Sequence, residues 1–332
     1  MANKKKYHIA LSWYFSDFFL KPEIWKQWNE NLQKIKKKTG LSMVYEIMPN
    51  FINEKNLIRC FQDNLIPIVS LHSPPKYPRK RYVDTERTFL GMAKTMALPL
   101  IVHASSLRRI KEHQLEEFLA FINNFSLSKE EQEKMGVSHR PQDLPIKLVI
   151  ENSAYKKYKD PLCDSIPHLA NWVREFQHEW ENIEFGMVLD VGHLEKSVRD
   201  IHDITAAFES AKDLIEVIHF HDYLPIKNQE DQRYKNIRRF MYIISVLAGQ
   251  DYGFKEECHK LPGTGLLPLK EFIQYLDETE FDGTLTLEII YEFIEKVGLL
   301  RFIKIINNGP SEEEINYLAD IYTEAFQFIQ KA

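Results

Sequence analysis

Short apolar runs alternate along the chain with longer segments whose apolar positions recur every three or four residues. Eight runs have strand-like length and content: residues 7–13 (YHIALSW), 41–48 (LSMVYEIM), 66–72 (IPIVSLH), 99–103 (PLIVH), 146–151 (IKLVIE), 185–190 (FGMVLD), 214–220 (LIEVIHF) and 284–289 (TLTLEI). Runs this short and this continuously apolar suit strands buried on both faces of a parallel sheet. Helical spacing fills residues 22–38, 53–63, 85–97, 114–125, 164–176, 198–210, 268–277 and 292–306. The polar stretch 126–145 reads as a helical excursion, and 227–249 as a long connection helical in its second half. Two helix ends carry their own chemistry. Lys36, Lys37 and Lys38 before Gly40 put cations and a glycine at a C-terminus. Ser311 followed by Glu314 is a capping box opening a last helix, with Ile315, Leu318, Ile321, Ala325 and Phe328 on its apolar face.

Strands that alternate with helices build parallel βαβ units, and eight such units close into a (β/α)8 TIM barrel. The expectation is an α/β chain forming a single domain over 1–332, with insertions in its loops. The barrel core spans about 7–290, and C-terminal helices occupy 291–332. A doubly wound open sheet is the competitor, but no GxGxxG or GxxxxGK[ST] follows any strand.

Composition narrows the setting. Of 332 residues, 44% are hydrophobic, enough for a large core. Cys60, Cys163 and Cys258 form neither a CxxC pair nor a disulfide framework, as expected in a reducing cytoplasm. The N-terminal stretch lacks the unbroken apolar region of a signal peptide, and no segment approaches the ~20 apolar residues of a membrane span. A cytoplasmic protein without a membrane partner is expected. The net charge of −5 does not favour nucleic acid as a partner.

The chemistry collects where the strands end. The third run ends in His72, the fourth in His103, the fifth in Glu151 and the sixth in Asp190, with His193 three residues on. The seventh carries His219 and His221; Glu257 and His259 lie in the loop beyond it, and Glu288 lies in the eighth. Glu46, near the end of the second, is expected to face the same cup as a substrate contact. In a barrel these ends converge on one face, where barrel active sites lie. So many buried charges need a compensating cation. Mixed imidazole and carboxylate ligands suit Zn²⁺, with Mn²⁺, Fe²⁺ or Co²⁺ as alternatives. Lys76, Arg79, Lys80, Arg81, Arg108, Arg109, Lys156, Lys157 and Lys159 follow the third, fourth and fifth runs. They favour an anionic substrate, with solvated lysines as the bland alternative.

These segments resemble the xylose-isomerase-like barrels, specifically the endonuclease IV branch (AP endonuclease family 2). The resemblance rests on LHSP at 71–74, VHAS at 102–105, VIEN at 149–152, VLDVGH at 188–193, IHFHD at 218–222, ECHKLPGTG at 257–265 and LTLE at 285–288. It implies a metal-dependent hydrolase with two or three metals, whose bridging hydroxide attacks a phosphoester or similar anionic substrate. His72 and His103 would hold the first metal, with Glu151 bridging to a second that Asp190, His219 and Glu288 complete. His193, Glu257 and His259 would hold a third. Glu151 and Glu288 are the catalytic candidates. His221, without a ligand counterpart in the branch, would either stand behind the ligands or face substrate, and Lys76, Arg79 and Lys156 would face substrate.

The chain departs from the branch at Glu257, one methylene longer than the expected aspartate, and at Cys258, where an arginine is expected. The alternative within the same barrels is a single-metal sugar (phosphate) isomerase or epimerase, in which Glu151 and Glu288 double as acid and base. A further alternative is an amidohydrolase acting on a cobamide-type cofactor. A non-enzymatic binding barrel is the reading that ligand-capable residues at all these positions argue against.

Overall fold

The computed structural model describes residues 7–13, 21–41, 43–47, 67–73, 83–104, 112–135, 144–152, 165–194, 198, 200–225, 256–289 and 291–332. All eight expected strands form: β1 (His8–Trp13), β2 (Met43–Ile47), β3 (Ile68–His72), β4 (Leu100–His103), β5 (Ile146–Glu151), β6 (Ile183–Asp190), β7 (Ile215–Phe220) and, last in sequence, β10 (Thr284–Leu287). They close into a barrel in the order β1-β10-β7-β6-β5-β4-β3-β2, every pair parallel. The open-sheet competitor is excluded by the β1–β10 pairing, in which His8 faces Thr284 and Leu11 faces Leu287.

Helices occupy the connections. They are α1 (Pro22–Thr39), α2 (Val83–Met96), α3 (Glu112–Asn123), α4 (Lys129–Met135), α5 (Ile166–Phe176), α6 (Ile201–Ala211), α7 (Leu269–Glu278), α8 (Tyr291–Val297), α9 (Leu299–Asn308) and α10 (Glu312–Lys331). Gly40 ends α1 in the left-handed conformation, as the lysine-rich end predicts. The Ser311–Glu314 capping box opens α10. The expected helices over 53–63 and within 227–249 lie outside the described residues.

Two features differ from the sequence reading. Residues 292–306, read as one helix, are two: Gly298 adopts φ +80° and breaks α8 from α9. An antiparallel hairpin not expected from the sequence, β8 (Asp222–Pro225) with β9 (Glu256–Lys260), stands where β7 leaves the barrel.

The C-terminal helix secures the barrel from outside. α10 packs on α1, where Trp28 is fully buried against Tyr322 and donates to the Tyr45 hydroxyl of β2 at 2.9 Å. Inside the barrel, Ile101, Val149, Val188 and Val217 form a separate buried apolar cluster. Side chains two apart share a strand face. The next residues on that face are therefore His103, Glu151, Asp190 and His219, so the apolar cluster floors a polar site at the strand ends.

Candidate metal centre

Glu151 is the hub. It is the last residue of β5, 1% exposed, and its two oxygens face different partners. Oε2 lies 3.0 Å from His72 Nε2 and 3.4 Å from His103 Nε2. Oε1 lies 3.4 Å from His193 Nδ1 and 3.6 Å from His219 Nδ1. His219 Nδ1 is also 3.6 Å from Glu288 Oε1 and 3.8 Å from Asp190 Oδ2. It is buried, makes no hydrogen bond and confronts three carboxylates.

Several local contacts set these positions. The His72 Nδ1–H donates to the Ser73 carbonyl at 2.8 Å, which leaves Nε2 for Glu151. Asn152 clamps the Asp190 backbone from both sides, accepting its N–H at 2.7 Å and donating to its carbonyl at 3.0 Å. The Asn152 carbonyl accepts from His193 Nδ1 at 2.9 Å. The asparagine of VIEN thus orders two candidate ligands, 38 and 41 residues further along the sequence.

Of the two places expected for His221, behind the ligands or facing substrate, its contacts are those of the first. It is fully buried, and Nδ1 accepts the backbone N–H of His259 at 2.9 Å. The remaining proton then sits on Nε2, 3.1 Å from Asp190 Oδ1. Both ring nitrogens are engaged, and the residue buttresses Asp190. Asp222, on the opposite face, accepts four backbone N–H groups: Tyr223 at 2.8 Å, Gly263 at 3.0 Å, Gly265 at 2.8 Å and Leu267 at 3.1 Å. It fixes the PGTG loop, whose Gly263 has φ +85° and whose Gly265 has no room for a Cβ beside Asp222.

The expected ligands gather as follows. His72, His103 and Glu151 form one group with donor atoms within 4.8 Å of one another. Glu151, Asp190 and His219 form a second. Asp190, His221 and Glu288 form another, and His193, His221 and His259 form one nearer the rim. Glu257 lies in β9 opposite Leu224; its side chain is outside the described residues, as are Lys76, Arg79 and Lys156. Glu46, expected to face the cup, is fully buried beside His219. Asn152, Gly192 and Asp222 are structural parts of the site that received no role from the sequence. Their partners are distant in sequence, so no local spacing marks them.

The electrostatics fit a cation. Burial alone would lower the His72 pKa, but the hydrogen bond and charge of Glu151 push it up to about 9. His219 behaves likewise: burial is overcome by the Glu288, Glu46 and Glu151 carboxylates, which hold it well above its ordinary value. Burial pushes His103 down to about 4. Burial would raise Glu151 and Glu288, yet the neighbouring histidines hold both well below the ordinary carboxylate range. Without metal, the carboxylates are thus balanced by protons on His72 and His219. A divalent cation does the same work through unprotonated ring nitrogens. The lone pair of His219 Nδ1, aimed at three carboxylates without a hydrogen-bond donor, fits such an ion.

Solved structures similar to this chain include a D-tagatose 3-epimerase-like protein, at 17% identity over 90% of this chain and 98% of that one, TM-score 0.45. Another is the apo 3-keto-D-glucoside 4-epimerase YcjR from E. coli, at 11% identity over 95% and 99%, TM-score 0.45. A third is a xylose isomerase-like TIM barrel protein from Mycobacterium smegmatis in complex with magnesium, at 10% identity over 98% and 99%, TM-score 0.46. No curated protein matches. No helix among the described residues is long and apolar enough to cross a membrane. Residues 22–321 match the family model described as xylose isomerase-like TIM barrel, and the chain belongs to that family.

Proposed function

We propose that this chain is a metal-dependent sugar or sugar-phosphate isomerase or epimerase, with Glu151 and Glu288 as its acid–base pair. The carrying observation is the inner group. Glu151, Asp190, His219 and Glu288 are each at most 2% exposed, and the two glutamates stand at the same 3.6 Å from His219 Nδ1. By contrast, in the rim group His221 has both nitrogens engaged, so the described residues leave His193 and His259 there.

A divalent ion in the inner group would polarise a substrate oxygen and stabilise negative charge on it. Glu151 and Glu288 then exchange protons with the carbons beside that oxygen: one removes a proton and the other returns one. His72 and His103 hold substrate hydroxyls. In this reading a substrate phosphate falls to Lys76, Arg79 and Lys156, because the Gly263 and Gly265 amides are already bonded to Asp222.

A second reading, a hydrolase with two or three metals acting on a phosphoester, is favoured by the split of Glu151. One oxygen serves His72 and His103 while the other serves the inner group. Zinc or a similar ion would then occupy both groups. Elemental analysis separates the two. One metal per chain, still bound after His72→Ala, with solvent deuterium entering a sugar C–H position, supports the isomerase. Two or three metals, with one lost in His72→Ala together with phosphoester hydrolysis, overturns it in favour of the hydrolase.

A further inference from the structure

Glu46 is completely buried in β2, and neither reaction above uses it. Its Oε2 accepts from the Ser70 hydroxyl at 3.0 Å and lies 3.3 Å from His219 Nε2 and 3.4 Å from the Thr286 hydroxyl. Its Oε1 is buried with no hydrogen-bond partner. Register explains the meeting. Ser70 is the neighbour of Glu46 on β3, and Thr286 is the neighbour of His219 on β10. The carboxylate reaches from β2 to β7, bridging strands separated in the wall by β1 and β10. A carboxylate buried with one oxygen unbonded costs stability, so folding alone does not account for it.

We propose that Glu46 is the positioning residue for His219: it holds the Nε2–H, and so presents the Nδ1 lone pair to the point between Glu151, Asp190 and Glu288. A neutral imidazole carries one proton and one lone pair. The lone pair belongs on Nδ1, where three carboxylates wait without a donor, and the proton on Nε2, where one carboxylate accepts it. Glu46, His72, His219 and Glu288 also lie close enough to form a metal group of their own. His219 cannot serve both groups with a single lone pair, and the three-carboxylate side takes it. Carboxylates behind ligand histidines fix the tautomer and raise the basicity of the ring in this way. The inference rests on the metal-enzyme reading and adds to it a residue outside the ligand set.

The test is zinc affinity of the full chain, measured by chelator competition, for wild type, Glu46→Gln and Glu46→Ala, with Ser70→Ala as a control. Ser70→Ala removes a bond to Glu46 without touching His219. Both Glu46 variants should bind zinc about tenfold to a hundredfold more weakly, and Ser70→Ala should stay within a few-fold of wild type. In the zinc-loaded wild type, a ring N–H of His219 should exchange slowly with solvent, and Glu46→Ala should lose that protection. The near-isosteric Glu46→Gln guards against a folding defect, monitored by the melting of the metal-free chain. Unchanged zinc affinity in Glu46→Gln and Glu46→Ala, with wild type binding zinc, overturns the positioning role alone. Equal losses in Ser70→Ala and the Glu46 variants also overturn it, in favour of a structural network. A wild type that binds no divalent metal overturns the metal-enzyme reading itself, and this proposal with it.

Discussion

The imidazole of His221 lies against the α-carbon of Gly192 so closely that a Cβ there would sit 1.8 Å from its Cε1. The glycine of the VLDVGH segment is therefore required by a side chain 29 positions later, not by its own backbone angles. Gly192→Ala must displace a ring that braces Asp190. Overpacking of this kind costs about 1–3 kcal/mol. The expected result is a lower urea midpoint together with weaker zinc binding. A variant with wild-type zinc affinity would show that Asp190 does not depend on His221.

His221 itself offers a sharper distinction. As a substrate contact, its removal would raise KM and leave the metal in place. As the partner of Asp190 at 3.1 Å, its removal should loosen the metal instead. His221→Ala is expected to reduce zinc affinity about tenfold to a hundredfold, read by chelator competition without substrate. Full zinc affinity with a raised KM would restore the substrate-facing role.

Asp222 is expected to matter to the loop rather than to the ion. Its four N–H partners would lose a charged acceptor in Asp222→Ala, and each bond of that kind contributes about 1.5–3 kcal/mol net where water cannot take its place. A net loss of about 3 kcal/mol is expected in urea unfolding, with partial recovery in Asp222→Asn. A midpoint equal to wild type would mean that the PGTG loop holds its shape without this anchor.

The barrel was legible because its strands are buried in a parallel sheet, which leaves apolar runs shorter than a helix, each followed by a segment of helical spacing. Ile146–Glu151 forms over the expected residues, and the ends of the other strands move by at most two positions. The hairpin of Asp222–Pro225 with Glu256–Lys260 was not legible, because it is held by Asp222 and not by an apolar period. The α8–α9 break had a visible cause in Gly298, yet a single glycine within helical spacing does not announce a left-handed residue. The candidate ligands were legible as polar residues closing apolar runs. Glu46 was legible as a residue near a strand end that faces the cup, but not as a partner of His219, and Asn152 looks as ordinary as any polar residue locally. What they do depends on His219 and Asp190, which only the closed barrel brings to them.

The proton balance of the site gives a signature that needs no substrate. In the metal-free chain the His72 pKa stands at about 9, above its unfolded value of about 6.5. A histidine raised on folding contributes stability that is complete below the unfolded value and is lost as pH rises through the folded one. His219, held well above its ordinary value, adds in the same direction. The metal-free chain should therefore become less stable between pH ~6.5 and ~9, by on the order of 3 kcal/mol for His72. His103, lowered to about 4, acts oppositely on the acid side: the unfolded chain takes its proton first, so stability falls as pH drops from ~6.5 toward 4. Glu151 and Glu288, depressed on folding, add to that acid loss below their ordinary range. A stability maximum near pH 6–7 is expected for the metal-free chain. Zinc should move it upward, since the ion displaces the ring protons and binds more tightly as they leave. Thermal melts from pH 5 to 9.5, with chelator and with zinc, check both statements. A metal-free melting temperature that keeps rising through pH 9 would rule out protonated His72 and His219 as the counterions of the buried carboxylates.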